Sequence, residues 1–119
     1  MVATKHKFDL EGRTLDFSKC CIDLCKPINK NIVNIDIIGQ LLRSAGSVGA
    51  NYREANDSST KKDFYYRVNI CRKEAKESKY WLELLVYANV EFEDEAKKLI
   101  DEAERLTKIF ASIVLRSEQ

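Results

Sequence analysis

The chain has 119 residues and a mass of 13.7 kDa, which is enough for one domain with its own core. Its 4 glycines and 1 proline are too few chain breakers for a sandwich or barrel of many short strands. With 20 basic and 19 acidic residues, the formal charge of +1 gives no strong attraction to polyanions.

The first half of the chain carries two segments with helical periodicity and no sustained strand alternation. The first predicted helix covers residues 10–28, with Asp9 as its N-cap and Pro27 in its last turn. The second predicted helix covers residues 35–56, with Asn34 as its N-cap. The short connections between such helices make them antiparallel neighbours.

The second half repeats this pattern. The third predicted helix covers residues 61–88, where Thr60 and Asp63 resemble a capping box and Asn89 ends the helix. The fourth predicted helix covers residues 91–115 and opens on acidic residues suited to the positive end of a helix dipole. We therefore predict one all-α domain over residues 1–119, an antiparallel up-down-up-down four-helix bundle, with frayed ends at 1–8 and 116–119.

The charges are unevenly distributed along the chain. Residues 60–79 contain seven basic and three acidic residues, whereas residues 91–104 contain seven acidic residues and two lysines. Two interpretations follow. The two segments complement each other within the fold, or the basic segment contacts another subunit or a different partner.

The four cysteines give little indication of chemistry. Cys20, Cys21, Cys25 and Cys71 form no Cys-x-x-Cys pair and have no histidine near them. Cys21 and Cys25 could share a metal only if further ligands came from elsewhere, so we expect small buried apolar side chains. No apolar export segment precedes them, which predicts reduced thiols in a cytoplasmic protein.

The second predicted helix contains two glycines in its middle. Gly46 and Gly49 each cost about 1 kcal/mol relative to alanine in a helix interior. Together with Ala45, Ser47 and Ala50, they form a patch almost without side chains. Such a patch allows close approach of another helix, either from the same subunit or from a second one.

Polar residues also occur at core-like spacing on the two central helices. This set comprises Ser44, Ser47, Asn51, Glu54, Glu74, Glu77 and Trp81. Antiparallel pairing places Ser47 near Glu74 and Ser44 near Glu77. Buried carboxylates need hydrogen bonds or counter-charges, so we predict a structural network that fixes the register of the two helices. The expected basic partners are Arg43, Arg53 or Lys73.

The motifs of catalysis and membrane insertion are missing from the sequence. The one histidine, His6, lies in the predicted frayed tail, so the Glu-x-x-His pairs of a di-iron bundle cannot form. The chain has no Gly-x-Ser-x-Gly elbow, no phosphate-binding Gly-x-x-x-x-Gly-Lys loop, and no apolar run of the roughly 18 residues that cross a bilayer. We expect no enzyme activity, no cofactor, no metal, no small-molecule substrate and no membrane partner.

Two long motifs resemble a known family. Gln40–Ala55 (QLLRSAGSVGANYREA) is one, and Lys62-Asp63-Phe64 followed by Lys73–Leu85 (KEAKESKYWLELL) is the other. They resemble the small bacterial four helix bundle protein family, which includes proteins encoded in intervening sequences of 23S ribosomal RNA genes. The resemblance covers about residues 8–115.

The resemblance implies an antiparallel bundle that assembles into a ring, typically a pentamer. A related branch, the accessory variability proteins of diversity-generating retroelements, binds a reverse transcriptase and nucleic acid through a basic ring surface. Those relatives are markedly basic, whereas this chain carries a formal charge of +1. The implied partners are therefore further copies of the chain, with RNA, DNA or a reverse transcriptase as the alternative.

The third predicted helix carries the residues that such contacts would use. The candidate subunit or nucleic-acid contacts are Lys62, Arg72, Lys73, Lys76 and Lys79. Tyr65 shares a helix face with three of them and is suited to base stacking. Two further apolar pairs, Leu15 with Ile22 and Ile100 with Val114, are expected to add interface area. We predict a contact between this basic segment of one subunit and the acidic start of the fourth helix of the next.

Overall fold

The computed structural model describes residues 9–118 and contains four long helices in antiparallel order. They are α1 (Leu10–Cys25), α2 (Ile32–Asn56), α3 (Lys61–Ala88) and α4 (Glu93–Leu115). Each helix packs against the next along the chain, and α1 also contacts α4. The predicted all-α four-helix bundle is confirmed.

The end of α1 and the start of α2 each differ from the prediction by three residues. α1 ends at Cys25 rather than at residue 28, because Pro27 cannot donate a backbone hydrogen bond and its ring obstructs the preceding turn. α2 begins at Ile32 rather than at residue 35, because the side chain of Asn31, not Asn34, accepts the capping hydrogen bond from the Asn34 amide at 2.8 Å.

The other boundaries follow the sequence more closely. α3 covers residues 61–88 as predicted, and the Thr60 side chain accepts from the Asp63 amide at 3.1 Å. A short 3-10 turn at Val90–Phe92 precedes α4, so the α-helix itself begins two residues later than predicted. Within the predicted frayed segment 116–119, Arg116–Glu118 form a second 3-10 turn, and residue 119 lies outside the described residues. The other predicted frayed segment, residues 1–8, lies outside the described residues, and so does His6.

A continuous apolar core runs through the bundle. Its largest fully buried side chains include Phe17, Phe110, Leu41, Leu82, Leu85 and Leu106. Cys21 and Cys71 lie in this core, as predicted for small apolar side chains. At one end, buried Asn34 and Asn89 bond reciprocally through their side-chain amides, at 2.8 and 3.0 Å. This pair joins the start of α2 to the end of α3.

Candidate interaction surfaces

A polar network joins α2 to α3 along one side of the bundle. Ser47 Oγ donates to Glu74 Oε2 at 3.2 Å, as the antiparallel register predicted. Asn51 Nδ2 donates to Ser47 Oγ at 2.9 Å. Arg67 Nη1 donates to Asn51 Oδ1 at 3.2 Å, a contact that the sequence analysis missed. Each of these four side chains is half-buried, so the network lies at the edge of the core rather than inside it.

The second predicted contact of this network, between Ser44 and Glu77, is wrong. Ser44 is hydrogen-bonded to Ser78, with 2.9 Å between the two hydroxyl oxygens. Ser78 rather than Glu77 faces α2 because it belongs to the buried line of α3. Glu77 is exposed and accepts a hydrogen bond from Trp81 Nε1 at 3.2 Å.

The expected counter-charges of the network do not reach it. Arg43 donates to Gln40, Arg53 lies 3.9 Å from Glu11, and Lys73 is exposed. Glu54 is exposed, and its backbone carbonyl oxygen accepts hydrogen bonds from Ser58 Oγ and the Asp57 amide. Within residues 9–118, no lysine or arginine lies in ion-pair distance of Glu74 or Glu77.

The missing counter-charge affects the ionisation of Glu74. Burial raises the pKa of this carboxyl, and the neighbouring Glu77 raises it further. The hydrogen bond from Ser47 acts in the opposite direction, because it stabilises the charged form. Glu74 and Glu77 are therefore two adjacent carboxyl groups whose simultaneous ionisation is disfavoured.

The basic residues of α3 form a strip, defined by Lys62, Arg72, Lys73, Lys76 and Lys79, that lies within about a third of the helix circumference. Lys79 Nζ lies 2.9 Å from Glu104 Oε2 on α4. At this position the basic segment therefore pairs with the acidic segment inside the subunit, as the first of the two interpretations predicts. Arg72 donates to Asn69 at 2.9 Å. Lys62, Lys73 and Lys76 are exposed, and none forms an ion pair with another described residue.

The α2 glycines have different surroundings. A Cβ at Gly49 would lie 3.1 Å from Thr14 Oγ1, so packing of α1 within the subunit explains this glycine. A Cβ at Gly46 would meet only Ser18 Oγ, at 3.9 Å. Gly39, which the sequence analysis did not single out, would meet nothing within 4 Å, so the described part of the subunit does not require it.

Large apolar side chains are exposed around the connections α1–α2 and α3–α4. We call this set the apolar end; it comprises Ile32, Val33, Ile35, Tyr87 and Val90. Ile32 is 87% exposed and Tyr87 is 90% exposed. This surface was not predicted from the sequence, because residues 32 and 33 precede the predicted start of the second helix at residue 35.

The two apolar pairs singled out in the sequence behave differently. Leu15 and Ile22 are exposed on α1. Ile100 and Val114 instead pack partly against the core of the same subunit.

The cysteines and the other potential metal ligands among residues 9–118 form no recognisable centre. Cys21, Cys25 and Cys71 are buried and Cys20 is half-buried. Burial raises the pKa of Cys71 to about 12 and that of Cys25 to about 11, so these thiols are poor nucleophiles. In the described part of the chain, no three His, Cys, Asp or Glu residues are grouped to hold a metal, and no helix is long and apolar enough to cross a membrane.

The fold and these surfaces define a small antiparallel four-helix bundle with a polar network between its second and third helices. The chain belongs to the 23S rRNA-intervening sequence protein family, whose model matches residues 7–112. It is similar to a crystal structure, at 1.70 Å, of a protein with unknown function from the S23 ribosomal protein family of Bacteroides thetaiotaomicron. The two share 32% identity and a TM-score of 0.78, over 87% of this chain and 96% of the other. No curated protein matches the sequence.

Proposed function

We propose that this protein is a non-enzymatic interaction scaffold that works as a homo-oligomer, a ring of five subunits. The apolar end is the observation that carries this proposal. Five large apolar or aromatic side chains that stay exposed at one end of a 119-residue subunit are typical of an interface rather than of a free surface. Tyrosine in particular is enriched where protein surfaces meet.

A ring of five requires two different surfaces of each subunit to meet, because an isologous contact between identical surfaces stops at a dimer. A heterologous, head-to-tail contact repeats from subunit to subunit and gives a ring when its rotation closes. Exposed Glu91, in the turn before α4, and exposed Glu93 and Asp94, at the start of α4, form an acidic surface that borders the apolar end. The exposed Lys73 and Lys76 of a neighbouring subunit complement it in charge. Lys79 contributes less, because it already pairs with Glu104 of its own subunit. The number five rests on the family resemblance.

Native mass spectrometry tests this proposal, with and without a substitution at the apolar end. We expect a wild-type assembly of about five times 13.7 kDa, and smaller species for Tyr87→Lys, which places a charge in the interface. Tyr66→Lys is the matched control, because Tyr66 is also exposed on α3 but lies outside the apolar end. A monomeric wild type, or equal effects of the two substitutions, would contradict the proposal.

The second candidate function is a nucleic-acid-binding accessory subunit that acts with ribosomal RNA or a reverse transcriptase. The three exposed lysines of the basic strip favour it, because they have no carboxylate partner in residues 9–118. Binding through phosphates predicts that the logarithm of affinity falls linearly with the logarithm of salt concentration.

The test compares the RNA affinity of the wild type with that of a variant in which Lys62, Lys73 and Lys76 are glutamine. We expect weaker binding and a shallower salt dependence in the variant. A double control, Lys97→Gln with Lys98→Gln on α4, should bind like the wild type. Salt-independent binding, or no binding at about 50 mM salt, rejects this function.

A further inference from the structure

A separate group of cations lies where α3 begins and α4 ends. A shallow cleft between these two helix ends is lined by Lys61, Lys62, Tyr65, Arg116 and Ser117. Lys61 and Tyr65 are one helical turn apart on α3, and Arg116 follows the last residue of antiparallel α4. Of these residues, only Lys62 and Tyr65 were predicted from the sequence as contact residues.

The side chains that line this cleft suit a ligand in which an anionic group is attached to a flat ring. Its described lining holds three cations and no carboxylate. Lys61 and Lys62 also occupy the first turn of α3, where the helix dipole is positive and favours anions. Arginine adds a planar fork of donors, which suits phosphate better than a single ammonium does.

Tyr65 gives the cleft an aromatic surface with a fixed position. The ring is half-buried and packs edge-on against Phe64, with 5.3 Å between the ring centroids. Stacking of a base on such a ring is tolerant of sequence, because each base has a π-face. A base within a duplex is already stacked on its neighbours, so its face is not available for this contact.

We propose that this cleft binds one nucleotide of a single-stranded nucleic acid, with the phosphate on Lys61, Lys62 and Arg116 and the base stacked on Tyr65. The proposal rests on the nucleic-acid function suggested above and names the form of nucleic acid that is bound. It also extends the binding surface beyond the basic strip, toward the end of the bundle opposite the apolar end.

The experiment measures fluorescence anisotropy of a labelled single-stranded RNA of ten nucleotides, with the same RNA as a duplex for comparison. We expect Arg116→Gln and Tyr65→Leu each to weaken single-strand binding by roughly tenfold. Tyr65→Phe keeps the ring and should bind like the wild type. The matched controls, Arg105→Gln on exposed α4 surface and Tyr66→Leu next to the cleft, should leave affinity unchanged. Circular dichroism checks that each variant keeps its helices.

The remaining outcomes separate this inference from the function on which it rests. RNA binding that depends on Lys73 and Lys76 but is unchanged in Arg116→Gln and Tyr65→Leu overturns the cleft and leaves the nucleic-acid function intact. No RNA binding by the wild type overturns both. Inorganic phosphate, added as a competitor, should displace RNA only weakly. If phosphate alone binds as tightly as the RNA, the cleft is a free-phosphate site and the assignment of a base to Tyr65 is wrong.

Discussion

At the scale of single residues, Glu74 shows how packing changes the chemistry of a side chain. Its carboxylate accepts a hydrogen bond from Ser47 and lies beside Glu77, yet no cation from residues 9–118 balances the two charges. Burial and the second carboxyl both raise the pKa of Glu74, so ionisation of this group opposes folding.

This assignment predicts how stability depends on pH. Because the folded-state pKa of Glu74 lies above the unfolded-state pKa, its protonated form favours the fold at low pH. That contribution is lost as pH rises through the raised pKa. Glu74→Gln keeps an oxygen for Ser47 and carries no charge, so we expect its unfolding free energy, relative to the wild type, to be higher at pH 7 than at pH 4.

Urea denaturation of dilute protein at the two pH values measures this difference. Glu54→Gln is the control, because Glu54 is exposed and lies outside the network. A relative stability of Glu74→Gln that stays constant, or decreases, from pH 4 to pH 7 would mean that the Glu74 carboxylate is not penalised in the fold.

At the scale of the helices, α1 is held to α4 by a specific ion pair. Arg13 donates to both carboxylate oxygens of Glu102, at 2.8 and 2.9 Å, and the two side chains are only 21% and 22% exposed. Bidentate bonds at this burial are stronger than a solvated surface pair. This contact fixes the position of α1, which otherwise packs mainly against α2.

We expect Arg13→Ala to reduce the unfolding free energy by about 1–2 kcal/mol, because it leaves the Glu102 carboxylate half-buried without its partner. Lys108→Ala, which removes an exposed partner of Glu104, should cost less than about 0.5 kcal/mol. Chemical denaturation of the single variants and of Arg13→Ala with Glu102→Ala measures the coupling energy. Equal losses for Arg13→Ala and Lys108→Ala would show that the α1–α4 pair behaves like a solvated one.

The helices were predictable from sequence where their signals are local. Thr60 and Asp63 lie three residues apart and identify the start of α3 on their own. The start of α2 was misplaced because Asn31 and Asn34 are both good caps, and exposed Ile32 and Val33 do not extend the apolar periodicity. The buried role of Asn34 depends on Asn89, 55 residues away, for which no local pattern exists.

The polar network between α2 and α3 was predictable only in part, for a related reason. Antiparallel pairing correctly brought Ser47 to Glu74, since both lie on facing sides of their helices. It assigned Glu77 instead of Ser78 to Ser44, an error of one residue that corresponds to about 100° of helix rotation. Spacing along one helix does not determine that rotation; packing of the whole α3 core line does.

At the scale of the whole molecule, the distribution of charge relates the subunit to its proposed assembly. Lys76→Glu reverses the charge at one position of the basic strip. It should weaken the oligomer at low salt, because Lys76 is exposed and can meet the acidic start of α4 of a neighbour. Lys79→Glu alone would also break the internal contact with Glu104. The combination Lys79→Glu with Glu104→Lys retains that contact with its polarity exchanged, and should separate the two effects.

Native mass spectrometry and light scattering across a salt series measure the outcome. We expect dissociation of Lys76→Glu at protein concentrations where the wild type stays assembled, and a smaller difference at high salt because exposed charges are then screened. Lys97→Glu on α4 is the complementary variant: it increases the acidity of the surface proposed to receive the lysines, so we expect it not to weaken the oligomer. If Lys76→Glu assembles like the wild type at low salt, the basic strip lies outside the subunit contact, and the apolar end must meet another surface of the neighbour.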